Sequence, residues 1–304
     1  MAGPINRSTI PDTLDANLNQ MWQDGLTSWG EEYRKYFNVL NSTKQSEKDS
    51  YESGFGLMPE KAEGVAAQYD TIIAGIPKTY THLTYGLGYE ITEEAIEDNH
   101  QAPETFNKLP QALNRSATET VEIVAVNIFN NGFSGGTAGV DGKVLFATDH
   151  PTLDGGTQAN TPSIQADLSV TALTAGLTTI EKFVDERGLK RPTKAVLLMI
   201  PVDSWNIAEE LIGSEYKPYS SNNEVNALQK KDLDYSVSHY LTDTDCWILL
   251  AEKQNTMLKF FWRVMLGDLR RGTDFDSTNL KHLARMRFSV GYSHPMGTYG
   301  SSGG

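Results

Sequence analysis

The chain of 304 residues carries 39 acidic and 26 basic side chains, a formal net charge of −13. That surplus of acid argues against sequence-independent binding to nucleic acid, which depends on Lys and Arg neutralising phosphates. Hydrophobic residues at 39% with charged residues at 21% exclude disorder as the default, and the length predicts about two domains of roughly 150 residues each, or one with long extensions.

The chain opens without the apolar stretch of a signal peptide. Its longest apolar run, residues 195–200 before Pro201, is too short to span a bilayer, so a soluble intracellular protein is expected. Residues 1–46 read as an arm. Leu14, Leu18, Met21 and Trp22 fall at helical spacing behind Pro11 and Asp12, and Tyr33, Phe37 and Leu40 repeat the pattern after Gly30. Two such short helices have too few apolar residues for a core of their own, so Trp22, Trp29 and Phe37 must be buried elsewhere. For Trp22 and Trp29 a neighbouring subunit is the expected cover.

Residues 49–58 and 68–89 read as two extended segments separated by the polar stretch Pro59-Glu60-Lys61-Ala62-Glu63-Gly64. Two strands of about ten to twelve residues would project roughly 35 Å. A hairpin of that length is unstable alone in water and is expected to lie on another subunit, the alternative being a hairpin folded onto its own domain. Thr92 then reads as the N-cap of a helix with Glu93, Glu94, Glu97 and Asp98 in its first turns, where the helix dipole favours acid; a paired-carboxylate site is the alternative.

Residues 109–131 are the most strongly patterned: Leu109, Leu113, Ala117, Val121, Val124 and Ile128 step by three and four, Pro110 sits in the first turn, and Asn130-Asn131-Gly132 closes the end. The spacing predicts a stiff helix of roughly 35 Å. Residues 131–163, rich in Gly, Asn and Thr, read as a linker or domain crossing broken by a short strand at 143–146. Helices over 169–187 and 203–212 then alternate with strands over 194–200, 235–241 and 246–251, the pattern of an α/β block with a central sheet, with a polar loop at 218–223. The last fifty residues read as β over 257–265, 266–271 and 282–292, ending in a flexible Gly/Ser tail.

Enzyme signatures mostly fail. Neither Gly54-Phe55-Gly56 nor Gly86-Leu87-Gly88 is completed by the third glycine of a dinucleotide fingerprint, and a phosphate loop ending at Gly142-Lys143 would need glycine at Thr137 and a hydroxyl at Val144. The six histidines show no metal-ligand spacing, and the single cysteine excludes an internal disulfide and a cysteine-cluster zinc site. Thr148-Asp149-His150-Pro151 is the best catalytic candidate, but adjacent residues of an extended chain point apart, so Asp149 cannot easily orient the His150 ring and a turn is the better reading. Cys246 beside Trp247-Ile248-Leu249 reads as inert packing. No catalytic, cofactor or metal residue is assigned.

The charge is uneven. Residues 1–100 hold sixteen acidic and seven basic side chains, whereas residues 256–290 hold seven basic and three acidic. Either two parts of one chain attract, or the acidic part of one copy meets the basic part of another; two solvated faces are the plain alternative.

Three segments carry a resemblance. They are Tyr85-Gly86-Leu87-Gly88-Tyr89-Glu90-Ile91-Thr92-Glu93-Glu94-Ala95-Ile96-Glu97-Asp98, then Asp141-Gly142-Lys143-Val144-Leu145-Phe146 with His150-Pro151, then Ser238-His239-Tyr240-Leu241-Thr242-Asp243 with Trp247. In this order, with the arm, hairpin and long helix, the chain resembles the major capsid proteins of tailed bacteriophages, which have the α+β Hong Kong 97-type fold shared with herpesvirus capsids and encapsulin shells. It looks most similar to the Mu-type major head subunits.

The resemblance implies an N-terminal arm over 1–46, an extended E-loop hairpin over 47–84, a peripheral domain over 85–147 with its spine helix, an axial domain over 148–255 with 218–223 as its axial loop, and a peripheral return sheet with the tail over 256–304. It implies a structural, non-enzymatic protein without cofactor that self-assembles through pentamers and hexamers into an icosahedral shell around double-stranded DNA. Assembly would take place in the host cytoplasm and the protein would reside in the virion. The shell would enclose the DNA without sequence-specific binding and without a membrane, with scaffold, portal, head-completion or decoration functions supplied by separate proteins. Contacts between subunits are expected at Glu60, Lys61 and Glu63 of the hairpin, at Arg270 and Arg271 of the return segment, and at Trp22 and Trp29. An encapsulin-like compartment enclosing an enzyme, and a soluble α/β hydrolase using His150 or Cys246, are the alternatives.

Overall fold

In the computed structural model, which describes residues 9–92, 94–95, 103–135, 138–216 and 224–304, the arm is one 20-residue helix, α1 (Thr9–Ser28), then a single turn, α2 (Tyr33–Tyr36), and a strand, β1 (Asn38–Asn41). The second predicted helix is thus cut to one turn. Phe37 leaves helical geometry at φ −107°, ψ 150°, and Val39 and Leu40 join a parallel pairing with β10 (Leu258–Val264). Trp22 is fully buried within its own subunit against Leu113, Ala117 and Ala284, and its Nε1 donates to Gly267 O at 2.8 Å. Trp29 packs 5.6 Å from the Tyr33 ring and donates from Nε1 to Glu122 Oε1 at 3.1 Å. Trp22 therefore finds inside the subunit the cover that the sequence reading sought on a neighbour, whereas Trp29 is covered there only in part.

The hairpin is far less paired than expected. β2 (Ser46–Asp49) and β3 (Lys78–Thr81) pair over four residues, a lone bridge joins Glu52 to Ala74, and residues 54–73 run without a ladder. Gly54, Gly56, Pro59, Gly64 and Pro77 explain this, since glycine and proline weaken or block strand pairing. One close approach survives: Gly75 N donates to Tyr51 O, and a Cβ at position 75 would meet that oxygen at 2.3 Å. The second predicted strand breaks at His82, after which β4 (Leu83–Ile91) leaves the hairpin and pairs with β12 (Leu280–Tyr292). Ala95 N donates to Thr92 Oγ1 at 3.2 Å, the expected cap; Glu93, Glu97 and Asp98 lie outside the described residues.

The long helix, α3 (Pro103–Asn130), has 28 residues and so runs about 42 Å at 1.5 Å per residue. It begins six residues before the predicted start, which leaves Pro110 two turns inside, where its missing N–H removes one intrahelical bond. Val121, Ala125, Val126 and Phe129 form the buried face, while Val124 and Ile128 are half-buried on the flank. That face lies on a five-stranded sheet ordered β1-β10-β12-β11, with β4 on the other edge of β12 and β11 spanning Arg270–Thr273. Burial alternates along β12, which pairs in register with β10, so Phe260, Trp262 and Phe288 point at the helix and meet Tyr33, Phe37 and Phe129.

A second sheet is ordered β13-β9-β7-β8, built from β7 (Ala195–Pro201), β8 (Asp234–Ser238), β9 (Trp247–Ala251) and β13 (Thr298–Ser301). On one face lie Leu173, Leu177 and Ile180 of α4 (Val170–Glu181); on the other, Met199, Ile248 and Leu250 join the core under α3. The C-terminal tail is a buried edge strand rather than a flexible end, because Tyr299 fits between Trp247 and α4 and Thr298 and Ser301 are fully buried. The helix expected over 203–212 is an irregular run of short turns, and the loop at 218–223 lies outside the described residues.

Residues 131–135 and 138–163 form a packed domain crossing, one of the two readings that the sequence offers. Leu145 and Phe146 are buried in bends rather than a strand, Phe146 N donates to Gly132 O, and a two-residue pairing links β5 (His150–Pro151) to β6 (Thr157–Gln158).

Candidate assembly surfaces

The hairpin presents apolar side chains that its own subunit does not cover. Met58 is 98% exposed, Tyr69 96% and Leu57 83%, and Phe55, Val65, Ile72, Ile73 and Ile76 are exposed as well. Soluble chains rarely leave so much contiguous apolar surface in water. Glu60, Lys61 and Glu63 are exposed at the tip. Sequence reading marked the two extended segments but singled out none of Leu57, Met58 and Tyr69, which no periodic partner picks out.

The root is fixed differently. Asp70 Oδ2 accepts from Gly56 N at 2.8 Å, which ties the two limbs, and Oδ1 accepts from Thr71 N at 2.8 Å; these backbone amides, Gly56 first, hold the Asp70 carboxyl below the usual range. Arg187, on the turn after α4, reaches the descending limb. Its Nη2 donates to Thr71 O at 2.6 Å and lies 3.3 Å from Asp70 Oδ1. Tyr51 adds a ring contact with His294 at 4.9 Å.

The five-stranded sheet has a second face. β3 covers one end of it: Tyr80 lies against Phe261, and His82 bonds Ser42 and Ser289. Beyond that end, alternation along β12 turns Leu283, Arg285 and Arg287 away from the helix, with Arg270 beside Leu283 and Gly86 and Gly88 on β4 opposite Arg285 and Leu283. Arg263, Arg270, Arg285 and Arg287 make no ion pair among the described residues, and the buried Nε atoms of Arg263 and Arg287 have no acceptor. Burial and then the Arg287 charge push the His82 ring below the ordinary histidine range. Arg271 is exposed on β11 and pairs in register with His282, hence on the opposite side from Arg270. Part of the acid–base attraction is satisfied within the chain, as Lys259 meets Asp49 at 2.6 Å and Lys281 meets Glu90 at 3.7 Å. The hairpin acids and the return-segment arginines are not brought together in the single subunit.

The catalytic candidates are otherwise engaged. His150 Nδ1 lies 2.6 Å from Asp141 Oδ2 and Nε2 lies 3.2 Å from Asn160 Oδ1, while Asp149 pairs with Lys143. Spacing alone could not show Asp141 or Asn160 as partners, since both arrive from turns nine and ten residues away. Burial pushes the Cys246 thiol up to about 12, and its Sγ contacts Asp243 O. Among the described residues no group of three His, Cys, Asp or Glu is placed to hold a metal ion, and no helix is long and apolar enough to cross a membrane.

A long helix on one sheet, a second sheet sharing its core, and an extended hairpin carrying uncovered apolar residues define a shell-building subunit of the Hong Kong 97 type. The fold is similar to the procapsid of bacteriophage JBD30 (TM-score 0.50, 14% identity, 98% of this chain and 76% of that one). It is similar also to a virus-like particle from Pyrococcus furiosus (0.53, 12%, 94% and 98%) and to Microbacterium phage Oxtober96 (0.51, 10%, 91% and 92%). No curated protein sequence matches. The chain belongs to the phage capsid protein family, whose model matches residues 76–300. It is a structural capsid protein of a phage, and its place is the capsid of the virion.

Proposed function

We propose that this subunit closes an icosahedral shell of pentamers and hexamers around double-stranded DNA by laying its hairpin over a neighbouring copy. The observation that carries the proposal is the exposed apolar hairpin, whose residues gain burial only from another molecule. Glu60 and Glu63 at its tip would meet the neighbour's Arg270–Arg271 region, Lys61 would find acid there, and many modest contacts of this kind would add into one closed assembly. In this reading the five-stranded sheet with α3 is the peripheral domain, the four-stranded sheet the axial domain, and Trp22 and Trp29 fix the arm within the subunit.

Assembly in the host cytoplasm, separate scaffold, portal, head-completion and decoration proteins, and the Mu-type affiliation belong to the same proposal. An encapsulin-like compartment is the second reading; the family match favours the phage capsid. Replacing residues 54–73 by a short flexible turn is the test. Folded subunits that no longer form shells support the proposal, and shells that form with wild-type yield overturn it.

A further inference from the structure

The crossing between the two sheets contains a histidine whose surroundings fix its proton count. His150 is buried between Asp141 Oδ2 at Nδ1 and Asn160 Oδ1 at Nε2. Asn160 Oδ1 is an acceptor by its other bond, since it takes the Ala147 N–H at 2.9 Å. Asn160 Nδ2 donates to Leu145 O at 2.7 Å and faces Thr298 Oγ1, which itself donates to Pro295 O. Turning the amide over would set donor against donor at Ala147 and acceptor against acceptor at Leu145. Both ring nitrogens of His150 therefore face acceptors, and only an imidazolium satisfies both. Across the same cavity His294 differs: Nδ1 accepts from Met296 N at 3.2 Å and Nε2 donates to Glu186 Oε1 at 2.7 Å, one acceptor and one donor, the pattern of a neutral ring.

We infer that His150 is a proton-dependent latch, whose imidazolium bridges Asp141 to Asn160, closes the crossing between α3 and the four-stranded sheet, and holds the return strand β13. Asn160 links the latch to that strand: Gly300 N donates to Asn160 O at 3.0 Å, Asn160 N donates to Ala147 O at 3.1 Å, and Thr161 Oγ1 donates to Gly300 O at 2.8 Å.

The charged groups around the ring are Asp141 from the turn after α3, the mutually paired Lys143 and Asp149 beside β5, and the Glu186–His294 pair across the cavity. Burial opposes the Asp141 charge, but the bonds from His150 and from Lys143 N carry its carboxyl below the usual range. On deprotonation the remaining N–H stays with the Asp141 carboxylate, so the Nε2 lone pair faces Asn160 Oδ1. The latch is thus complete while both ring nitrogens carry protons and is lost when the Nε2 proton leaves.

Hydrogen–deuterium exchange on the assembled full-length protein tests this. Protection at Ala147, Asn160 and Gly300 is compared between pH 6 and pH 9 after correction for intrinsic exchange. The wild type is expected to lose about tenfold or more at high pH, the size of one unsatisfied buried contact. His150→Gln should show no such change, and Asp141→Asn should lose protection at lower pH because the counter-charge is gone. Wild-type protection independent of pH, a His150→Gln profile like the wild type, or an unshifted Asp141→Asn profile overturns the inference. The last decides the matter if the glutamine variant does not fold.

Discussion

Arg187 Nη2 donates to the Thr71 carbonyl at 2.6 Å across 116 residues of chain, so the turn after α4 holds one limb of the hairpin where the β-ladder has already ended. Beyond that ladder, the Arg187 guanidinium and the Asp70 carboxylate beside it add to the hold on the hairpin. Arg187→Ala should speed limited proteolysis within residues 54–73 several-fold while leaving subunit stability within about 1 kcal/mol, as for an exposed ion pair. Cleavage at the wild-type rate would show that the root is held by other contacts.

Trp22 joins the arm to the body through Leu113, Ala117 and Ala284 of its own subunit. Trp22→Ala should therefore destabilise the unassembled subunit by about 3–5 kcal/mol, the usual range for an emptied aromatic site. The measurement is denaturant unfolding of subunits kept below the assembly concentration. A loss confined to assembled particles would return Trp22 to the subunit interface.

Glu122 is buried on α3, with Oε1 accepting from Trp29 Nε1 and Oε2 from Tyr33 N at 2.8 Å. Burial raises its carboxyl from 4.5 to about 7 despite these bonds. The folded state therefore keeps a proton that the unfolded chain releases. Stability from this group is fully present below about pH 4.5 and is lost as pH rises through about 7, at most about 3 kcal/mol by 1.36 kcal/mol per pH unit. Thermal unfolding between pH 5 and 8 should show this fall in the wild type, and Glu122→Gln should remove it. Parallel curves for the two proteins would contradict the assignment.

Much of the fold was legible because it rests on local periodicity. The three- and four-residue steps from Leu113 to Val121 located α3, and the apolar runs at 195–200 and 246–251 located two strands of the second sheet. What sequence hid was decided by distant contacts. The tail reads as loop by composition, yet Tyr299 and Gly300 become a strand because β9 offers an edge and Phe146 and Trp247 cover it. Residues 49–58 and 68–89 read as extended segments, but glycine and proline leave 54–73 without a ladder. Counting charge by segment pointed to the return segment; strand alternation then separated Arg270 from Arg271 and set it with Arg285 and Arg287.

The C-terminal strand makes a direct stability test. Tyr299 fills the space between Trp247 and Gly176 of α4, where any side chain at 176 would meet the tyrosine ring at 2.9 Å. Tyr299→Ala should cost about 3 kcal/mol or more and lower the melting temperature by several degrees. An unchanged melting temperature would mean that β13 adds nothing to the packing of the second sheet.

Electron cryomicroscopy of the purified full-length protein tests the central claim most directly. The account predicts closed shells of pentamers and hexamers in which the density of every hairpin, from Phe55 to Ile73, lies on a different subunit from the one that carries it. Monomers of 33.6 kDa, or shells in which each hairpin folds back on its own sheet, would contradict it.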